Sequence, residues 1–164
     1  CLVPPTSAGK TCLFVLCSTA ACVGFVGLLW DLLDWKVPPS PSWWLDSFER
    51  IAGPIEGESA YRPRGGAFEG RYQGSITGFS VDRVREALTG DATPYDWYSG
   101  AYLMETVPSV LYILARYAED PEEAIVRAVN DTKDNDTIAA IVGAAVGALH
   151  GAKALPTRWR EGVN

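Results

Sequence analysis

From Thr11 to Trp30 the chain runs for twenty residues without a charge, bounded by Lys10 and Asp31. A bilayer crossing takes roughly 20 apolar residues, so this run forces a choice between a membrane anchor and a core helix. A signal peptide is a third option, with Lys10 as its charged start and Leu13 to Leu16 opening its apolar part. Thr11, Ser18, Thr19, Gly24 and Gly27 dilute the run, and it continues into Asp31-Leu32-Leu33-Asp34-Trp35 as the polar-punctuated end of one helix. The expectation is therefore a buried core helix, with a membrane-anchored helical protein using residues 11–30 as the alternative. With no initiating Met, Cys1 is not expected to be a natural start.

The rest of the chain bounds the choice. Its 164 residues suffice for one domain with a single core, and 48% hydrophobic against 21% charged residues describes a packed globular chain. The net charge of −6 argues against a nucleic-acid backbone as partner, because phosphate binding on that scale needs a surplus of Lys and Arg. Cys1, Cys12, Cys17 and Cys22 all lie at one end. A disulfide scaffold would spread its bridges, and zinc is poorly served without a CxxC pair and with His150 as the single histidine. Reduced, buried thiols in a cytoplasmic protein are the expectation.

Helix signals dominate the remainder. Val37-Pro38-Pro39-Ser40-Pro41 breaks any helix, and Ser42 is the expected cap of a short one carrying Trp43, Leu45, Phe48 and Ile51, ended by Gly53. Residues 53–79, with glycines at 57, 65, 66, 70, 74 and 78, read as one long Gly-rich loop, irregular or holding a short hairpin. Ser80 is the expected cap of a helix through Leu88. Another runs from about Tyr98 to Tyr117, kinked or restarted at Pro108. Asp120-Pro121-Glu122-Glu123 is the clearest start signal, with a capping Asp, Pro at the first position and acids facing the dipole. A last helix spans about Asp136 to His150. Its ridge of Ala139, Gly143, Gly147 and Gly151 would let another helix approach closely. No period-2 strand pattern stands out, so the architecture expected is all-α.

Between the last two helices, residues 130–137 read Asn-Asp-Thr-Lys-Asp-Asn-Asp-Thr. A solvated loop with an N-cap would account for that composition. The spacing of Asp134, Asp136 and the Thr137 hydroxyl about a helix start also suits a Mg²⁺-type cation, which prefers hard oxygen ligands. An EF-hand is excluded, because counting from Asp131 puts Asp136 where the turn glycine belongs and Val142 where the glutamate belongs. The Ala8-Gly9-Lys10-Thr11 stretch similarly fails as a phosphate loop, since Pro4 stands at its first glycine.

The segment around this cluster resembles the ADP-ribosylglycohydrolase family, which carries A-x-N-x-G-G-D-T-D-T-I-A-A-I-x-G-A-x-x-G-A-x-x-G followed by a proline and a tryptophan. This chain has Ala128, Asn130, Asp134, Asp136 to Ile141, Gly143-Ala144, Gly147-Ala148, Gly151, Pro156 and Trp159. A weaker likeness extends upstream through Val107-Pro108 and Glu122 to Ile125. The resemblance implies an all-α orthogonal multi-helix bundle, with residues 18–164 as the C-terminal part of such a domain and 1–17 unassigned. It implies Mg²⁺-dependent hydrolysis of the glycosidic bond joining ADP-ribose to a protein or small-molecule acceptor, with two ions in the site. Asp134, Asp136 and Thr137 would be metal ligands, Asp136 bridging both ions, and Asp134 and Asp136 would carry the catalysis. Asn130, Lys133 and Glu105 are the candidate substrate-binding residues. A monomer is expected. Several departures accompany the match. The family's paired glycines are Thr132-Lys133 here, and its Ser/Thr-Asp-Asp ligand set and early Gly-Asp motif do not occur in these residues. Its Thr-His-x-Asp entry to an apolar helix would fall near Phe14 to Cys17, where the His and Asp are absent. An inactive relative that still binds ADP-ribose or a protein partner is therefore the second reading.

Glu105 sits mid-helix in an apolar setting, so either a cleft-facing acid/base role or a surface position is open to it. His150 is expected to meet its helix C-terminus, and tryptophans such as Trp43, Trp44 and Trp97 to serve the core.

Overall fold

The computed structural model describes residues 8–35, 37–62, 71–90 and 98–162, which form an all-α bundle with one small hairpin. In chain order the elements are α1 (Ala8–Leu32), α2 (Pro41–Ala52), β1 (Ser59–Tyr61), β2 (Tyr72–Gly74), α3 (Ile76–Thr89), α4 (Leu103–Tyr117), α5 (Pro121–Asn130) and α6 (Asn135–His150). A single 3-10 turn (Ala152–Ala154) and α7 (Thr157–Gly162) follow. Trp97 and the cysteines Cys1 and Cys12 fall outside what can be described of side chains.

The centre is α4. Every residue from Met104 to Ala115 is buried, and the helix packs against α2, α3, α5 and α6, with α1 touching it too. Val107, Val110, Leu111, Ile113 and Leu114 give it apolar surface to bury, and its buried polar residues Glu105, Thr106 and Ser109 are hydrogen-bonded within the protein. It begins at Leu103 rather than near Tyr98, because residues 98–102 are taken up by a turn that bonds elsewhere. It also runs through Pro108 as one element. Pro108 removes the hydrogen bond to Met104, and the Ser109 hydroxyl returns one by donating to the Glu105 carbonyl at 2.7 Å.

The uncharged run forms a single helix, α1, and from Cys17 onward only one stripe of it is core. Cys17, Ala20, Ala21, Leu28 and Leu32 are buried along one stripe, whereas Val26 and Trp30 are 63% and 74% exposed. Because the run is apolar all round, its periodicity carried no information about which stripe faces inward. Gly24 sets the closeness of α1 to α2, since a Cβ there would come within 2.6 Å of the Phe48 ring. Among the described residues no helix is long and apolar enough to cross a membrane. Cys17 is buried and Cys22 exposed, so the expectation of buried thiols holds for only one of these two.

The long Gly-rich stretch begins after Ala52 as expected, holds a short hairpin, which was one of its two expected forms, and ends early at α3. β1 and β2 pair antiparallel, Ser59 with Gly74, Ala60 with Gln73 and Tyr61 with Tyr72, and three residues apiece are too few to register as alternation. Helix α3 starts at Ile76, four residues before the expected cap, because Ser75 and Glu56 both serve its N-terminus. The Ser75 hydroxyl accepts from Gly78, and the Glu56 carboxylate accepts from Ile76 and Thr77 at 3.0 and 2.9 Å. Likewise α2 starts at Pro41 with Ser40 at its cap, a start that uses the proline's preset φ. The ridge of small residues on α6 is not its buried face. Ile138, Val142, Ala145 and Val146 are buried, whereas a Cβ added at Gly143 would meet the Ile125 side chain only at 4.0 Å and one at Gly147 would meet nothing within 4 Å.

Candidate functional site

The site is built where α4, α5 and α6 meet. Asp120 caps α5 by accepting from Glu122 and Glu123, and the helix ends at Asn130. The chain then turns through residues 131–134 into α6. Thr132 is buried, its hydroxyl donating to the Ala128 carbonyl at 2.6 Å. The next two backbone N–H groups, of Lys133 and Asp134, both donate to the Ser99 carbonyl at 3.1 Å, and the Lys133 N–H also reaches the Ser99 hydroxyl at 3.2 Å. Ser99 is fully buried. The backbone of the acidic turn is thus pinned to a segment more than thirty residues away in the chain.

That segment is itself fixed to α4. The Thr106 hydroxyl donates to the Gly100 carbonyl at 2.9 Å, and the Tyr102 carbonyl accepts from Glu105 and Thr106. Glu105 is only 1% exposed, which excludes a surface position for it. Its carboxylate accepts from the Tyr61 hydroxyl at 2.8 Å and, at 3.5 Å, from the Tyr102 N–H. Glu105 therefore ties the hairpin, the turn at 98–102 and the first turn of α4 together.

Against this fixed backbone the side chains of the cluster stand open. Asp134 occupies the N-cap position of α6 yet makes no capping bond, and neither a hydrogen bond nor an ion pair to its carboxylate is found among the described residues. Asp136 and Thr137 are exposed in the first turn, with the Asp136 carboxylate accepting from the Thr137 N–H at 2.9 Å. Lys133 is exposed, and its ammonium lies 4.1 Å from the centre of the Tyr98 ring. Asn130 is exposed at the end of α5. The structure thus gathers Asn130, Lys133, Asp134, Asp136 and Thr137 at one junction, and places Glu105 beneath it in a supporting network.

Sequence reasoning missed Ser99, Thr106 and Tyr61, which hold that junction. Only Ser99-Gly100 gave any signal, as a turn pair before an apolar helix. His150 was expected at the end of its own helix; instead its Nε2 lies 2.6 Å from the Ala118 carbonyl at the end of α4. Elsewhere, burial and then the Asp82 carboxylate push the Tyr72 hydroxyl above its ordinary pKa, and burial does the same to Tyr112. The Glu123 carboxylate, followed by that of Asp131, raises Arg127.

A Mg²⁺ ion suits this donor set. Two carboxylates and a hydroxyl are hard oxygen ligands, and an N-cap carboxylate withheld from its helix is available to a cation. Among the described residues no group of three or more His, Cys, Asp or Glu is placed to hold a metal.

A fold that is all-helical, with a D-N-D-T turn opening a glycine- and alanine-rich helix, defines the class of protein. The family model of the ADP-ribosylglycohydrolases matches residues 18–164. The chain belongs to the ADP-ribosylglycohydrolase family and is an enzyme of that hydrolase type. No curated protein and no solved structure matches it.

Proposed function

We propose that Asp134, Asp136 and Thr137 form part of a Mg²⁺ site used to hydrolyse the glycosidic bond between ADP-ribose and a protein or small-molecule acceptor. The observation that carries this is the Asp134 carboxylate, which stands at a helix cap without capping while its backbone is pinned by Ser99. A carboxylate kept off its own helix is preorganised for a ligand. Asp136 and Thr137 add oxygen donors within the first turn of α6, and two carboxylates are needed there because a helix N-terminus by itself repels a cation.

The family reading assigns two Mg²⁺ ions, which would stabilise charge at the anomeric centre and orient the attacking water. The chain's own residues do the rest. Asp134, Asp136 and Thr137 would hold the ions, with Asp136 as the candidate shared ligand that the family resemblance implies, and a carboxylate of the Asp134/Asp136 pair would take the proton from water as general base. Asn130 and Lys133, at the rim of the same turn, offer an amide and a cation to the substrate. Lys133 is steadied by the Tyr98 ring, so its charge stays beside the turn instead of sweeping through solvent. Glu105 acts from below, holding the turn that holds Asp134.

Titrating Mg²⁺ into the protein, and following ADP-ribose release from ADP-ribosyl-arginine, tests this directly. Mg²⁺ binding that is lost in Asp136→Ala, together with hydrolysis lost in the same variant, is the expected outcome. Metal and ADP-ribose binding without hydrolysis would establish the inactive relative instead, and binding of neither would sink both.

A further inference from the structure

Arg50, Arg83, Arg85, Arg127 and Arg158 each pair with an aspartate or glutamate. Arg116 lies over the Tyr112 ring, and Arg160 donates to the Leu155 carbonyl and the Thr157 hydroxyl. Arg62 and Arg71 are exposed, and among the described residues no carboxylate pairs with either. They are also neighbours. The last pair of the hairpin is Tyr61 with Tyr72, and Arg62 and Arg71 are the residues just beyond it on the two strands. Side chains facing each other across antiparallel strands stand roughly 5 Å apart at Cβ, and like charges there repel. An uncharged pair would close this hairpin better. Two arginines at that position are useful when an anion lies between them.

The surroundings fit one. Side chains alternate along a strand. The Tyr61 and Tyr72 rings turn inward onto Phe79, with centroids 5.6 and 4.8 Å away, so Ala60, Arg62, Arg71 and Gln73 share the outer face. Together with the edges of the two tyrosines they line a hollow of about 300 Å³, and the small Ala60 side chain leaves its floor open. We propose that this hollow binds the phosphate group of a small molecule, clamped between Arg62 and Arg71. The choice of phosphate follows from geometry. Each guanidinium presents a planar fork of donors. The two oxygens of one carboxylate fill a single fork, whereas a phosphate ester or diphosphate has oxygens and charge enough for both. Gln73 supplies a further amide. The site shares no residue with Asp134, Asp136 or Thr137, and it stands whether or not the chain hydrolyses anything.

The test uses inorganic pyrophosphate and ADP-ribose, titrated calorimetrically in metal-free buffer into the whole chain, Arg62→Gln/Arg71→Gln and Asp136→Asn. Pyrophosphate is expected to bind the unaltered protein and Asp136→Asn alike, and at least tenfold more weakly to the double arginine variant. Arg62→Lys/Arg71→Lys, which keeps the charge but loses the forks, should fall between. Tighter binding of ADP-ribose than of pyrophosphate makes the natural ligand an esterified diphosphate; the reverse order makes it an inorganic one. Equal affinity in the double arginine variant, or no binding to the unaltered protein, overturns the site. Markedly tighter binding in Asp136→Asn overturns it too, because loss of that negative charge would strengthen only an anion held at the acidic turn. Hexaglutamate competing as well as pyrophosphate would overturn the assignment to phosphate.

Discussion

Asp120 and Asp134 occupy the same position at the start of consecutive helices, and they behave oppositely. Asp120 has extended backbone angles, φ −115° and ψ 104°, and its carboxylate accepts from Glu122 and Glu123 at 3.0 and 3.1 Å. That is the ordinary work of a capping aspartate. Asp134 has φ −98° and ψ 59°, and it makes no capping bond. The cause lies upstream. The Ser99 carbonyl takes the N–H groups of both Lys133 and Asp134, which fixes the backbone before α6 in a conformation that is not the extended one of a normal cap. One aspartate is spent on its helix and the other is held free of it. A carboxylate that gives up a capping bond forgoes roughly 0.5–2 kcal/mol, and structures keep such an arrangement where the group has another task.

The largest effect expected from breaking the comparison is on chemistry. Asp136→Ala or Asp134→Asn should lower Mg²⁺ affinity and ADP-ribose release by about 100-fold or more, as removal of a metal ligand does. Asp134→Asn should leave thermal stability within about 0.5 kcal/mol, because the carboxylate contributes no bond to its helix. A large loss of stability in Asp134→Asn would mean that it caps after all.

Next comes the support beneath Asp134. Glu105→Ala removes the buried carboxylate that accepts from the Tyr61 hydroxyl and the Tyr102 N–H, which should cost about 1–3 kcal/mol in chemical denaturation. Because the turn at 98–102 carries Ser99, Mg²⁺ affinity should fall with it. Glu105→Gln keeps an acceptor for the Tyr61 hydroxyl and should recover most of both. If Mg²⁺ affinity is untouched while stability drops, the coupling from Glu105 to Asp134 is absent.

Asp120→Ala is the matched control on the other side. It should cost about 1 kcal/mol of stability and leave Mg²⁺ binding unchanged.

These differences also mark what the chain's sequence could disclose. The starts of α5 and α6 were legible because capping is local: Asp120-Pro121-Glu122-Glu123 and Asp134 to Thr137 announce themselves within four residues. The inward stripe of α1 was not legible, since Val23, Val26 and Trp30 are as apolar as the residues that face the core. The hairpin was too short to show alternation, and the early start of α3 depends on Glu56, twenty residues before the helix it caps. The junction itself was half legible. Sequence named Asp134, Asp136 and Thr137, but an aspartate that caps and one that does not are the same letter. Only the bonds from Ser99, made across the fold, separate them.

A perturbation that reaches the fold without involving either aspartate completes the set, and it should be the smallest. Burial holds the Tyr72 and Tyr112 hydroxyls above their ordinary pKa of 10.0, the Asp82 carboxylate adding to the effect at Tyr72. The folded state therefore binds these protons more tightly than the unfolded chain does. Their contribution is complete below about pH 10, the unfolded value, and is lost as pH rises through the higher folded values. Denaturation midpoints should decline gently above that pH. In Tyr72→Phe/Tyr112→Phe the decline should flatten, even though the variant loses the bond from the Tyr72 hydroxyl to the Ser75 carbonyl and starts from a lower midpoint. Asp120→Ala and Asp134→Asn should show the unaltered protein's alkaline slope. A change of that slope in one aspartate variant alone would mean that its helix start is coupled to the tyrosines, and the two starts would then differ in more than the bonds their carboxylates make.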